Sequence, residues 1–188
     1  MTENISVDEF LGKSTLIIGD VGVGKTKLTA RIVEKLLKDG HGKDITLIDF
    51  APIPVSSCAK RVGRRITEYV DVEQVKYLTS NSITAPRLTA KSADELVEII
   101  EKNRRLTELL LKKYLISPTS ILTINDVTIY LHAGKLDTIE KCVSKSESFI
   151  GNAYYGAFFK NDLETGVSAR EKKLTEKLCR IMDNIISL

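Results

Sequence analysis

The eight residues from Gly19 to Thr26 have the spacing G-x-x-x-x-G-K-[ST], which is typical of a phosphate-binding loop. Glycines lack a Cβ atom, so the backbone can curve around a phosphate with its N–H groups pointing inward. The lysine of such a loop reaches the β- and γ-phosphate oxygens, and the hydroxyl group after it can bind Mg²⁺. We therefore predict a nucleotide site made of Gly19, Asp20, Val21, Gly22, Val23, Gly24, Lys25, Thr26 and Lys27, with Lys25 catalytic and Thr26 a metal ligand.

Alternating strands and helices are predicted around this loop. Apolar runs predict strands at Ser14–Ile18, Ile45–Phe50, Val75–Thr79, Ser120–Ile124 and Ser148–Ala153. Apolar residues at helical spacing predict a helix from the loop to Asp39 and Gly40, a long helix opened by a capping box at Ser92–Glu95, a helix around Leu136–Val143, and a last helix opened by a capping box at Ser168–Glu171 and continuing through Ile185. The predicted fold is α/β, a three-layer α/β/α arrangement with a mainly parallel sheet.

Ligands of such sheets bind beyond the carboxyl ends of the strands. Four polar residues, Asp49, Asn125, Asp126 and Asn152, lie at or near predicted strand ends. These residues are therefore the candidates for groups that act together with the glycine-rich loop.

Length and composition predict one compact domain over residues 1–188, because 188 residues with 43% apolar and 28% charged side chains are globular values. The net charge of +3 permits a polyanionic partner but does not imply one. Cys58, Cys142 and Cys179 are widely spaced, which predicts reduced thiols and not disulfides or zinc ligands. No apolar run approaches the length that crosses a bilayer, and the first ten residues are unlike a signal peptide. We expect a cytoplasmic protein with no membrane partner.

The strand and loop from Ser14 to Thr26, preceded by Val7–Leu11 and followed by Leu47–Phe50 and Ile121–Asp126, resemble the RecA-like ATPase branch of the P-loop NTPases. This resemblance covers most of the chain and implies the P-loop NTPase fold. A fainter similarity, in size and in the spacing of Ile124 to Asp137, is to the corrinoid adenosyltransferases. Their glycine loop differs from this one, so adenosyl transfer is a remote alternative.

The resemblance also implies roles for the strand-end residues. Ser120–Asp126 is similar to a Walker B segment, so Asp126 is expected to bind Mg²⁺; alternatively, Asn125 stands in the metal position and Asp126 orients the attacking water. Asp49 is similar to the catalytic base of RecA-like ATPases, although it could equally bond to the turn after its strand. Asn152 could orient the γ-phosphate or the water, as the polar sensor residue of related ATPases does.

Other side chains have a functional and a structural interpretation. A basic cluster could neutralise phosphate or reach into a neighbouring subunit, but it is also typical of a solvated surface; it consists of Lys60, Arg61, Arg64 and Arg65. An aromatic group could stack on adenine, line a pocket, form a partner surface or pack in the core; it consists of Tyr154, Tyr155, Phe158 and Phe159. His41 and His132 have no partner at catalytic or metal-binding spacing, so both are predicted to be structural.

Three hypotheses about function follow. The first is a Mg²⁺-dependent ATPase, with ATP favoured over GTP because the guanine-binding pattern N-K-x-D is absent. The second is a small-molecule phosphotransferase in which Arg61, Arg64, Arg65 or Arg87 clamps the acceptor. The third is a slowly hydrolysing ATP-dependent switch or assembly module, because no glutamate follows the acidic strand end; it implies a homo-oligomer or a protein partner. Nucleic acid is a weaker candidate partner, because the basic cluster lacks interleaved aromatic residues.

Overall fold

The computed structural model describes residues 6–53, 63–159 and 161–188. These residues contain the strands β1 (Ser14–Gly19), β2 (Ile45–Asp49), β3 (Lys76–Thr79), β4 (Ile121–Asn125), β5 (Ser148–Tyr154) and β6 (Asn184–Ser187). They also contain the helices α1 (Lys25–Lys38), α2 (Pro86–Thr89), α3 (Ala93–Ile116), α4 (Thr128–Leu131), α5 (Leu136–Ser144) and α6 (Val167–Cys179). All strand pairs are parallel, and the sheet has the order β3-β2-β4-β5-β1-β6. The predicted α/β fold with a parallel sheet is confirmed.

Helices cover both faces of the sheet, and the strand sequences show why. In β1, Leu16 packs in one hydrophobic cluster and the next residue, Ile17, packs in a second cluster. In β2, Ile48 and Leu47 divide between the same two clusters. The cluster of Leu16 includes residues of α3, α4, α5 and α6, whereas that of Ile17 includes residues of α1. Because successive strand side chains point to opposite faces, this division is compatible with three layers.

The helix beside the glycine-rich loop and the long helix after Ser92 are both present. Helix α1 begins after Gly24, whose φ is 106°, and ends at Lys38, directly before the predicted stop at Asp39 and Gly40. At the start of α3, Ser92 Oγ accepts the N–H of Glu95 at 3.2 Å, as the capping box predicts. The Glu95 carboxylate, however, accepts the N–H of Lys91 at 2.7 Å and not that of Ser92. The predicted capping box is therefore confirmed in its first half.

The prediction of a last helix through Ile185 is wrong. Helix α6 ends at Cys179, and Asn184–Ser187 forms strand β6, which pairs in parallel with β1. Between them, the Asp183 carboxylate accepts the N–H of Ser14 at 2.7 Å and its hydroxyl at 2.8 Å. The apolar spacing of the α6 sequence extends into this strand by chance, whereas the isoleucines of β6 are β-branched and favour extended backbone.

The predicted capping box at Ser168–Glu171 is also wrong. The residue that precedes α6 is Gly166, with a φ of 75°, so Ser168 lies within the first helical turn. Its N–H donates to the carboxylate of Asp162 at 2.9 Å, and Glu171 is buried with other partners. Gly166 therefore occupies the cap position that the pattern assigned to Ser168. The carboxylate of Asp162, and not a side chain of the predicted capping box, accepts an N–H of the first turn.

Two helices, α2 and α4, are only four residues long, which is too short for periodicity to predict them. Helix α3 has 24 residues but carries charged side chains along its length. Within the described ranges, no helix combines the length and the apolar character needed to cross a membrane.

Candidate functional site

One cavity of about 480 Å³ opens beyond the carboxyl ends of the sheet, a volume within the usual range for small-molecule sites. The glycine-rich loop, Gly19–Thr26, contributes five of its residues to the wall, and Lys27 follows them. The remaining polar and aromatic lining residues are Arg64, Tyr69, Arg87, Asp126, Thr128, His132, Asn152, Tyr154 and Phe159. The structure thus brings six of the nine predicted nucleotide residues together with Asp126 and Asn152, as the topology of a parallel sheet requires. The other three, Gly19, Asp20 and Val23, are not part of the cavity lining.

Backbone conformation explains the glycines of the loop. Gly22 and Gly24 have φ values of 81° and 106°, which residues with a Cβ atom rarely adopt. At Gly19 a Cβ atom would lie 2.7 Å from the main-chain oxygen of Leu188. Gly24 immediately precedes α1, and no side chain of the described residues caps this helix end. The first N–H groups of α1 and the positive end of its dipole are therefore directed toward the cavity side of the loop.

The side chain of Lys25 is hydrogen-bonded to the main chain of the loop. Its ammonium group donates to the main-chain oxygen of Gly19 at 2.9 Å and to that of Asp20 at 2.7 Å. Burial lowers the pKa of Lys25, while the carboxylates of Asp126, Asp20 and Glu171 act in the opposite direction. A partly buried cation beside a curved row of backbone N–H groups is a favourable environment for a phosphate.

Asp20 connects the loop to the segment that follows β5. Its two carboxylate oxygens accept the N–H of Val21 at 2.6 Å and the N–H of Ala157 at 3.0 Å. Desolvation acts to raise the pKa of Asp20, but the N–H donors of Ala157, Val21 and Phe158 outweigh it, and the pKa is lowered. Asp20 is thus a charged structural residue of the loop, which its place in the sequence pattern did not predict.

Asn125 and Asp126 differ in their contacts and in their access to the cavity. The Asn125 amide lies in the protein interior, where it donates to Asp49 at 2.8 Å and accepts from Asn152 at 2.8 Å. Asp126 is half-buried, lines the cavity and has a φ of 62°. Burial raises the pKa of Asp126, and the hydroxyl of Thr128, which donates to the carboxylate at 2.6 Å, acts against this rise. Asp126, and not Asn125, presents oxygen ligands to the cavity.

Asp49 does not reach the cavity, and its contacts argue against the predicted role of catalytic base. One carboxylate oxygen accepts the N–H of Ala51 at 3.0 Å and the amide of Asn125. The other accepts the N–H of Ile66 at 2.8 Å and the hydroxyl of Tyr77 at 3.2 Å. Its exposed fraction is 0%, and burial raises its pKa against these donors. Asp49 stabilises the turn after β2, and this bonding to the turn is the structural alternative that the sequence left open.

The basic cluster does not act as one group. Arg64 lines the cavity and donates to the hydroxyl of Tyr69 at 2.7 Å. Arg65 instead bonds to the hydroxyl of Thr79 and to the main-chain oxygen of Ser80, so it braces the edge of the sheet. Lys60 and Arg61, like Cys58, lie outside the described residues.

A buried ion-pair group that the sequence did not predict lies beside the cavity. Glu171 of α6 accepts from Arg87 at 2.7 Å and contacts the Nε2 atom of His132 at 2.5 Å. The three side chains are at most 5% exposed. Residues 87, 132 and 171 are far apart in the chain, so only the tertiary fold reveals the partner that His132 lacked in the sequence. Charges so deeply buried are tolerated because they are paired.

The aromatic group divides between the cavity and the rest of the surface. Tyr154 and Phe159 line the cavity, and the guanidinium of Arg87 lies 4.1 Å from the ring centroid of Phe159. Phe158 packs edge-on against Phe159, whereas the Tyr155 hydroxyl donates to Glu176 at 3.0 Å. Two of the four predicted side chains are therefore placed to contact a ligand.

The residues of the cavity fit a Mg²⁺ ion that arrives with phosphate groups. Thr26 and Asp126 line the same cavity and offer hard oxygen ligands. Within the described part of the chain, no cluster of three or more His, Cys, Asp or Glu residues could hold a metal ion by itself. This pattern suits Mg²⁺, which usually binds through one or two carboxylates, waters and substrate phosphates.

No protein-family model matches the chain, and no curated protein shows significant similarity to it.

Proposed function

We propose that this chain is a P-loop protein that binds ATP together with Mg²⁺ and hydrolyses it slowly, using the bound nucleotide to control a conformational or assembly change. One observation carries the proposal. The loop Gly19–Thr26, with its positive-φ glycines and the start of α1, shares a cavity with the half-buried carboxylate of Asp126. Phosphate and magnesium ligands thus face the same space.

Each residue has a role in this proposal. The loop N–H groups and the start of α1 hold the phosphates, and Lys25 leaves the carbonyl oxygens of Gly19 and Asp20 to pair with phosphate oxygens. Thr26 and Asp126 hold Mg²⁺, whose charge offsets the negative charge of the phosphates. The gain in rate comes from positioning and from electrostatic stabilisation, since phosphoryl transfer needs little covalent chemistry from the protein.

Slow hydrolysis follows from the carboxylates of the cavity. Among the described residues that line it, Asp126 is the one Asp or Glu. A carboxylate that binds Mg²⁺ is a poor base for water, and Asp49 is buried in other contacts. This observation favours the switch hypothesis over a fast ATPase.

A phosphotransferase is the second candidate, supported by the extent of the cavity. The lining continues beyond the loop to Arg64, a cation suited to an anionic acceptor, and to Arg87, whose charge is paired with Glu171. ATP consumption that requires an added acceptor would distinguish this activity from hydrolysis by the protein alone.

The test is ATP binding and phosphate release by the wild type and by Lys25→Ala, each with Mg²⁺. Lys102→Ala, which removes an exposed lysine on α3, is the matched control. We expect loss of tight binding in Lys25→Ala alone, because the loop then lacks its cation. Equal ATP affinity in all three proteins would contradict the proposal. Binding without phosphate release would support the switch or a phosphotransferase without its acceptor, and would exclude an autonomous ATPase.

A further inference from the structure

Asp126 has an unusual backbone conformation for a residue other than glycine. Its φ of 62° lies in the left-handed region, which costs free energy unless the surroundings impose it. Aspartate tolerates this region better than most residues, but it does not select it unaided. The contacts that impose the conformation therefore also determine where the carboxylate points.

Asn152 makes those contacts. Its side-chain oxygen accepts the N–H of Asp126 at 3.0 Å, and its main-chain oxygen accepts the N–H of Val127 at 2.9 Å. Two consecutive N–H groups at the end of β4 are thus bound by one residue of β5. Because a backbone N–H can only donate, the atom that faces Asp126 must be the amide oxygen.

The amide nitrogen of Asn152 is fully used as well. It donates to the Thr29 hydroxyl at 2.9 Å and to the Asn125 side-chain oxygen at 2.8 Å. Since an amide nitrogen carries two hydrogens, both are occupied. The side chain of Asn152 is also buried, with the residue only 2% exposed. These contacts do not favour the predicted direct contact of Asn152 with a γ-phosphate or a water.

Thr29 extends the connection to the glycine-rich loop. Its hydroxyl donates to the main-chain oxygen of Lys25 at 3.0 Å, in the first turn of α1. Asn152 therefore lies between the turn that carries Asp126 and the helix that carries Lys25 and Thr26. A side chain in this place determines the separation of the two proposed magnesium ligands.

We propose that Asn152 is a positioning residue, which holds the Asp126 carboxylate in register with Thr26 and does not itself contact the nucleotide. This inference rests on the proposed function. Residues that orient metal ligands typically contribute about 10–100-fold to metal affinity. The effect of Asn152 should thus appear in the gain in ATP affinity that Mg²⁺ gives, and not in binding by the loop alone.

The experiment is a titration of ATP into each folded protein, once in EDTA and once with Mg²⁺. In Asn152→Ala we expect the gain from Mg²⁺ to fall by about 10–100-fold while the affinity in EDTA stays at the wild-type level. Lys25→Ala should lower the affinity in EDTA. Thr123→Val, which removes a buried hydroxyl of β4 that has no hydrogen-bond partner in the described part of the chain, is the matched control and should change neither quantity.

The outcomes separate the two proposals. A wild type that binds no ATP, or gains no affinity from Mg²⁺, contradicts the proposed function. A wild type with this gain and an Asn152→Ala variant with an equal gain contradicts the positioning role alone. If Asn152→Ala does not fold, Asn152→Asp replaces it, because it has the same size but cannot donate to Thr29 and Asn125. A fall in the Mg²⁺ gain then supports the positioning role, and an unchanged gain overturns it.

Discussion

Asp49 and Asp126 show that the surroundings of a carboxylate decide whether it is available to a ligand. Asp49 is the last residue of β2 and Asp126 directly follows β4, and the sequence placed both at the ligand edge of the sheet. Asp49 is satisfied entirely by hydrogen-bond donors of the protein, whereas Asp126 faces the cavity with the hydroxyl of Thr128 as its donor. A sequence gives the order of residues along a strand end, but it does not show which carboxylates later segments cover. Ile66 and Tyr77, which cover Asp49, come from such segments.

At Asp49 we predict that Asp49→Asn lowers the free energy of unfolding by about 1–3 kcal/mol, because an amide group would then face the N–H of Ile66. Asp44→Asn, at an exposed aspartate, is the control and should change stability little. Urea unfolding measures both. An unchanged midpoint for Asp49→Asn would show that its hydrogen bonds do not hold the turn.

At Asp126 we predict a pH effect on magnesium. A metal ligand must be deprotonated, and burial raises the pKa of Asp126 above its ordinary value. The gain in ATP affinity from Mg²⁺ is therefore present above this raised pKa and is lost as the pH falls through it, at a pH higher than the value of about 3.9 for a free aspartate. Titrations over a pH series measure the midpoint. Asp126→Asn corrects for protonation of the nucleotide, because it lacks the carboxylate.

At the scale of elements, the strands β1 to β5 and the helices α1, α3 and α5 could be predicted, because each has a clear apolar pattern, whereas the four-residue helices α2 and α4 could not. The end of the chain could not. Residues 174–185 read as one helical stripe, yet Asp183 binds Ser14 and the following residues pair with β1. This pairing is a long-range interaction that local periodicity does not contain. The candidate site divides in the same way, since the loop is a local motif and the group of Arg87, His132 and Glu171 is not.

Strand β4 supplies a prediction of its own. The Thr123 hydroxyl is buried without a hydrogen-bond partner among the described residues. Thr123→Val should raise the free energy of unfolding by about 1 kcal/mol, because it removes an unsatisfied polar group and keeps the shape. In the neighbouring strand, Thr46→Val is the counterpart and should be destabilising, because the Thr46 hydroxyl accepts from Thr119 at 2.8 Å. Thermal unfolding of the two variants should thus shift in opposite directions.

At the scale of the whole molecule, the buried group of Arg87, His132 and Glu171 joins elements that are distant in the chain. Arg87 belongs to α2 and Glu171 to α6, and His132 directly follows α4. The three side chains tie these elements together next to the cavity wall formed by Tyr154 and Phe159. A shift of one of these elements would therefore change the side-chain contacts that join it to the other two.

Breaking this group should be costly. We predict that Arg87→Met lowers the free energy of unfolding by about 3–5 kcal/mol, because it leaves the buried Glu171 without its cation. Arg104→Met is the matched control, since Arg104 pairs with glutamates on the exposed side of α3 and should contribute less than about 1 kcal/mol. The double variant Arg87→Met with Glu171→Leu should recover much of the loss. Equal losses for the single and double variants would show that the charge of Glu171 is not the cause.

The position of β1 in the sheet has a consequence for folding kinetics. This first strand lies between β5 and β6, the last two strands, with Ser14 opposite Phe149 and Thr15 opposite Asn184. Such contacts close very long loops of chain and form late, because their entropy must be lost before they stabilise anything. The glycine-rich loop directly follows β1 near the start of the sequence. The strands on both sides of β1 are therefore complete only when β5 and β6 have docked. A ligand bound there thus stabilises the completed fold alone and not its intermediates.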